Sequence, residues 1–312
     1  MKLDRRNFVH GSLLLAATAM LPAGARAATR AGEPILYRVT GGAGTVHVLG
    51  AAEATSNDWF VPKIAAALDA ADVLWLETPP GTATAAAEGQ ATAPPPDPEL
   101  QRVFATQAFD REHDLFEILP PAISQRTALW ADKLKLARET LSPMRPWFAR
   151  ITIQQAYASQ RQAKAAEGEK LVYPERVVTD RMRQRGRPIE AEYASIGALM
   201  RFFADLPEAA QGQYLEELFD YFDRDATATN DAEKYGWIIG KSSTVSITQQ
   251  RERTPDLYRA MHVERNAWWT GRIEGMLAAG GNSFIMIGNN HVLGPDSIPA
   301  VMRKRGLPVE EL

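Results

Sequence analysis

Ser283-Phe284-Ile285-Met286-Ile287-Gly288-Asn289-Asn290-His291-Val292-Leu293-Gly294 is the stretch on which the reading of this chain turns. The apolar run from Phe284 to Ile287 has the length of a buried strand, and Gly288 ends it. A polar turn follows, with one imidazole, His291, at the strand's carboxyl end. Ligand sites of α/β sheets gather at such ends. A second segment mirrors it near the other end of the chain: Thr45-Val46-His47-Val48-Leu49-Gly50-Ala51-Ala52-Glu53. This strand-like run also ends in Gly-x-x, but Glu53 occupies the fourth position where the first corner has His291. Two such corners in one domain are a way to build a metal site.

Working outward, Leu36 to Thr40, Gly41-Gly42-Ala43-Gly44 and Thr45 to Leu49 spell a β-hairpin with a glycine-rich turn. Pro62 stands where a helix can start, and Ile64 to Ala71 favours helix. Asp72 to Thr78 is a short apolar run ending in the carboxylate of Glu77. Residues 82–98 are rich in Ala, Thr, Gly and Pro and read as a loop without a core of its own. From about residue 99 to 235 the pattern is mostly helical. It includes one helix through Leu129, Leu134, Leu136 and Leu141, and a short return strand at Arg187 to Glu192. Pro255 opens a long helix through Leu277, which Gly280-Gly281 ends. A helix at Ile298 to Arg305 and an edge strand at Val309 to Leu312 complete the chain. The expected fold is α/β: a mixed central sheet flanked by helices, with a largely helical insertion at about 99–235.

The first 27 residues read as an address. Arg5-Arg6 with Phe8 has the twin-arginine pattern, Leu13 to Leu21 is the apolar region, and Ala25-Arg26-Ala27 is a cleavage site. Residues 28–312 then form the mature domain, expected in the periplasm or outside the cell. No later stretch is long and apolar enough to suggest a membrane span. Cysteine is absent, which excludes disulfides and thiolate chemistry. Residues 1–27 carry four basic and one acidic residue, so their removal takes the formal charge from -3 to about -6. A mildly acidic chain argues against nucleic-acid binding.

The two glycine corners, in this order and at this distance, resemble the TraB/GumN family, which includes Tiki-type metal-dependent proteases and lies near the ChaN/erythromycin-esterase-like proteins. The resemblance runs over most of the mature chain. It takes in Leu36 to Gly50, Ala70 to Glu77, Arg145-Pro146-Trp147-Phe148, Pro188 to Glu192, Glu264 to Trp268, and Gly288 to Gly294. It implies metal binding and peptide hydrolysis by residues at matching positions. Gly288 and His291 match the second Gly-x-x-His motif. Gly50 matches the first glycine, with Glu53 where a histidine belongs. Glu77 and Glu192 match the acidic strand ends, and Arg265 the basic residue.

Glu53, Glu77 and His291 would supply two carboxylates and one imidazole, leaving a position for water. A carboxylate-rich set shifts preference toward hard ions, so Mn, Co or Zn is expected, Mn foremost. Glu192 is a candidate fourth ligand or general base. Arg265 is a candidate for pairing with a ligand carboxylate or for steadying an oxyanion. Plainer readings stand beside these. His291 reads also as a turn histidine, Glu77 as a solvated strand end, Arg265 as a structural ion-pair partner, and Glu53 as a lost ligand. The last makes the chain an inactive family member that binds a peptide, a small molecule or a protein partner. His47 alternates with Val46 and Val48 and points along the sheet. His113 and His262 read as helical surface or packing residues, and Trp268, Trp269 and Trp237 as helix packing. Gly-x-Ser-x-Gly and His-Glu-x-x-His are absent.

Overall fold

A computed structural model describes residues 32–52, 54, 56–80, 97–164, 172–225 and 235–312. The signal-peptide reading, Glu53 and the loop at 82–96 therefore lie outside the described residues. The chain divides into two compact units. One holds the sheet, from residues 32–77, 172–192 and 220–312. The other is helical, from residues 78–80, 97–164 and 193–219.

The sheet contains six strands: β1 (Leu36–Gly41), β2 (Gly44–Ala51), β3 (Val73–Leu76), β4 (Ile189–Ala191), β5 (Gly281–Gly288) and β6 (Val309–Glu311). Their order is β4-β3-β5-β2-β1-β6. β1 is antiparallel to β2 and β6, while β2, β5, β3 and β4 run parallel. The expected mixed sheet is thus observed. β5 is central and covered on both sides, which is why its sequence is continuously apolar rather than alternating.

Alternation along β5 divides the core in two. Phe284 and Met286 face one layer with Leu36, Leu49, Leu74 and Leu76. Helices α1 (Pro62–Ala70) and α2 (Pro174–Gln184) cover that layer through Ile64, Leu68, Val178 and Met182. Ile285 and Ile287 face the other layer with Val39, Val46, Val48 and Trp75. Trp269, Ile273 and Leu277 of α4 (Arg265–Ala279) and Ile298 and Met302 of α5 (Ile298–Lys304) close it. Helix α3 (Val245–Arg253) precedes α4 and buries Ile247 and Gln250.

The sheet's direction places the site. A crossover between parallel neighbours is right-handed and returns its helix antiparallel to the strands. Helix α2 is such a crossover helix, entering β4 beside β3. Past its carboxyl end, Arg187 reaches Asp72, just before β3, at 3.0 Å. Its amino end therefore lies with the carboxyl ends of the strands. There Val172 N–H donates to the Ala54 carbonyl at 2.9 Å, just beyond β2.

The helical unit contains Pro98–Gln107, Pro121–Lys133, Pro146–Lys164 and Ile196–Ala204. Asp97 caps the first through Glu99 and Leu100 N–H groups, both at 3.0 Å, and also accepts Gly197 N–H at 2.7 Å. Trp147 is fully buried and donates to the Gln107 carbonyl at 2.9 Å. Within the expected insertion, the single helix through Leu129 and Leu141 is not formed. Lys133 ends it, Lys135 takes a left-handed φ of 57°, and Leu129 is exposed. The long helix expected from Pro255 is likewise interrupted. Pro255–Tyr258 is followed by a π-helical stretch, Arg259–Glu264, before α4 begins.

Phe284 is fully buried between α1, α2 and the sheet. Phe284→Ala is expected to cost about 3–5 kcal/mol, read as a lower urea midpoint with an unchanged slope.

Candidate functional site

The carboxyl ends of β3, β4 and β5 carry Glu77, Glu192 and His291, and β2 leads toward Glu53. Four adjacent parallel strands thus aim their exits at one edge. Glycine at both corners has a steric reason. A Cβ on Gly50 would lie 2.2 Å from Val292 Cγ2, and one on Gly288 would lie 3.0 Å from Glu77 Oε1. Gly50 is glycine because the turn after β5 packs directly on it, and Gly288 because the Glu77 carboxylate lies against it.

Arg265, the first residue of α4, is buried and joins the two acidic strand ends. Its Nη2 donates to Glu77 Oε2 at 2.7 Å and to Glu192 Oε2 at 2.5 Å, and its Nε donates to Glu192 Oε1 at 2.8 Å. Trp269, one turn along the same helix, adds an Nε1–H bond to Glu192 Oε2 at 3.0 Å. Gly288 N–H donates to Glu77 Oε1. Burial alone would raise the Glu77 carboxyl. The Arg265 charge, His291, the Arg265 hydrogen bond and Gly288 N–H outweigh it and hold Glu77 at about 2.

His291 is buried beside this clamp, and its tautomer follows from its neighbours. Asn266 Nδ2 donates to the Asp296 carbonyl at 2.8 Å, so Asn266 Oδ1 must face His291. That oxygen accepts from His291 Nδ1–H at 2.6 Å. Burial, then the Arg265 charge, holds the imidazole well below its usual range, so it is neutral near pH 7. Nε2 therefore carries a lone pair, and it lies 3.9 Å from Glu77 Oε2. Neither atom can donate to the other. Two electron-rich atoms flank a position suited to a cation. A tetrahedral divalent ion would set such atoms about 3.4 Å apart, so their chemistry fits and their spacing is slightly wide. Among the described residues no three His, Asp or Glu side chains form a set that could hold a metal ion. Glu53, the third expected donor, lies outside them.

The remaining histidines take other places. His47 sits within β2, paired in register with Phe284 and away from the strand ends. His113 is in an exposed bend 3.4 Å from Asp110 rather than on a helix. His262 lies in the π-helical stretch with its ring 5.3 Å from His291, and it is buried. Burial, then Arg265, lowers it to about 4. Among the tryptophans, Trp269 packs on Trp75 and binds Glu192, Trp237 packs on Trp59 in the other core layer, and Trp268 is exposed.

The model of the TraB/PrgY/gumN family matches residues 35–311. The chain belongs to this family. No curated protein and no solved structure matches it. The match spans both glycine corners and every residue of the Arg265 clamp.

The sequence reading missed Glu175. It is the second residue of α2, partly buried, and feels the charge of Glu77. Burial, then that charge, pushes it up to about 7. Acidic residues in a helix's first turn ordinarily read as dipole partners, which hides this one. The available signal was its place at the start of the helix feeding β4, which topology puts at the strand exits. Asn266 was also passed over, although it adjoins Arg265.

These charges have measurable consequences for stability. Arg265→Met leaves two carboxylates without their cation and is expected to cost about 3–5 kcal/mol, measured by urea unfolding. Glu77 has a folded value below the unfolded one, so its stabilisation is complete above about 4.5 and fades as pH falls toward 2. Glu175 has the opposite sign. It holds its proton more tightly when folded, so it loses stability as pH rises from about 4.5 through 7. Glu175→Gln should therefore raise the melting midpoint at pH 8 relative to wild type and leave it little changed at pH 4.

Proposed function

We propose that this TraB/PrgY/gumN family chain is an exported, divalent-cation-dependent hydrolase of peptides. One observation carries the reading: His291, its Nδ1 hydrogen-bonded to Asn266 Oδ1, sets its Nε2 3.9 Å from Glu77 Oε2. Histidine ligands are held in this manner, with the far nitrogen fixed by a hydrogen bond. Glu77 and His291 would hold the ion and Glu53 would complete the set. Mn is the expected ion, with Co or Zn as alternatives.

Bound there, a divalent ion would polarise a peptide carbonyl and lower the pKa of a water. The chain's own residues do the rest. Arg265 fixes the direction of Glu77 and keeps it ionised, so Oε2 stays available without competing for a proton. Glu192 holds Arg265 and Trp269 through both oxygens. We assign it to positioning Arg265, in preference to proton transfer. Asn266 keeps His291 in the ligating tautomer. The twin-arginine pattern at Arg5-Arg6 supports delivery to the periplasm or beyond.

A second reading has its own support. Glu77 and Glu192 are already held by Arg265, Gly288 and Trp269 without an ion. A family member that lost its first histidine would keep this clamp and bind a peptide or protein partner beside it. Residue 53 separates the two readings. In the first, Glu53→Ala removes cation binding. In the second, wild type binds no ion and Glu53→His creates a site.

Thermal unfolding of the mature chain tests the hydrolytic reading. With chelator replaced by Mn²⁺, Co²⁺ or Zn²⁺, the midpoint should rise, by about 2.7 kcal/mol of added stability at 100 times Kd. The rise should vanish in His291→Ala. No shift with any ion would end the metal reading.

A further inference from the structure

Alternation places a second polar cluster on the sheet, at the edge away from His291. Leu36 of β1 and Leu49 of β2 are register partners and face the layer under α1 and α2. With a period of two, Arg38 and His47 follow on that face, then Thr40 and Thr45, each again a register pair. Asn282 of β5 stands opposite Thr45, and Glu310 of β6 opposite Arg38. The face thus changes from leucine to polar side chains toward the amino ends of β2 and β5. Glu77 and His291 lie past the carboxyl ends of β3 and β5, at the other edge.

With Pro308, these six polar residues line a cavity of about 380 Å³, within the about 300–1,000 Å³ of small-molecule sites. We propose that this cavity is a second binding site and that its ligand is a neutral polyhydroxylated molecule, a mono- or disaccharide. The inference does not rest on the hydrolytic reading, which concerns the other edge of the sheet.

Charge selects the class. Arg38 forms an ion pair with Glu310. His47 is neutral near pH 7, held down by burial and then by the Arg38 charge. The lining therefore carries no net charge. An anion would have to take Arg38 from Glu310, and a cation would have to take Glu310 from Arg38. A neutral ligand meets the pair without breaking it, because a paired guanidinium and carboxylate keep further N–H donors and lone pairs. Thr40, Thr45 and Asn282 add groups that both donate and accept. His47 Nδ1 is buried without a hydrogen-bond partner among the described residues, so the protein does not fix the tautomer from that side. Nε2 can then donate to a ligand oxygen or accept from its hydroxyl. Hydroxyl groups answer such a lining, since each also donates and accepts.

An NMR titration tests this, with ¹H–¹³C spectra of ¹³C-histidine-labelled protein spanning residues 28–312, recorded in chelator and with His47 assigned through His47→Leu. The probes are glucose, galactose and maltose, with glucose 6-phosphate and glucosamine as charged counterparts. At least one neutral sugar should shift the His47 ring signal saturably and leave that of His291 in place. The charged counterparts should bind more weakly than the neutral sugar. Thr45→Val keeps the branched shape, removes the hydroxyl and should weaken sugar binding about three- to tenfold. Thr45→Ser keeps the hydroxyl and should bind as wild type does, which separates a lost hydroxyl from a lost fold. No saturable His47 shift with any neutral sugar would overturn the proposal. So would tighter binding of a charged counterpart, which would mark an ion site, or an affinity that Thr45→Val leaves unchanged.

Discussion

The Arg265 guanidinium between Glu77 and Glu192 is the constraint on which the rest of this site depends. Three strands and one helix meet there: the strands bring Glu77, Glu192 and the Gly288 N–H, and the helix brings Arg265 and Trp269. Removing two carboxylates from water is costly, and their mutual repulsion adds to the cost. A single planar cation with several donors meets both at once. Gly288 N–H then satisfies the Glu77 oxygen that Arg265 leaves open, and Trp269 adds a second bond to Glu192 Oε2. Glu77 is held ionised and fixed in direction as a result, which a lone strand-end carboxylate would not be.

His291 depends on the same framework from the other side. Its ring is positioned by Asn266, the neighbour of Arg265, and Asn266 is oriented by the backbone at Asp296. Tyr258 donates to the side chain of Asp296 at 2.9 Å, which ties the turn after β5 to the helix before the π-helical stretch. The Arg265 charge also discourages protonation of both His291 and His262. Burial, with this cation's charge added to it, keeps two imidazoles neutral, and the same cation keeps a carboxylate charged. That combination presents electron pairs, rather than protons, at the strand exits.

Much of this architecture was legible in the sequence because local and long-range demands agreed. The apolar run Phe284 to Ile287 allowed only a buried strand, and Gly288 marked its end. The hairpin around Gly41 to Gly44 and the return strand before Glu192 were readable for similar reasons. Where the reading failed, a residue's own pattern was overruled by its neighbours. Leu136 and Leu141 kept a helical spacing, yet the left-handed backbone at Lys135 ended the helix first. The stretch after Pro255 has helical composition throughout, and its π-helical interruption has no mark in composition. At the site, residue types at strand ends were readable, but their pairing was not. Nothing in the spacing of Glu77, Glu192 and Arg265 says that one guanidinium holds both acids. Glu175 was hidden because an acid in a helix's first turn has an ordinary explanation.

The central claim is that His291 is a neutral imidazole with its proton on Nδ1 and its lone pair on Nε2, directed at Glu77. Long-range ¹H–¹⁵N correlation spectra of ¹⁵N-histidine-labelled protein spanning residues 28–312, recorded from pH 5 to 8 and assigned with His291→Ala, measure this directly. The account predicts one protonated Nδ1 and one unprotonated Nε2 for His291 across that range, with the Nε2 resonance moving when a divalent cation is added. An imidazolium at pH 6 to 7, or a proton on Nε2, would contradict it.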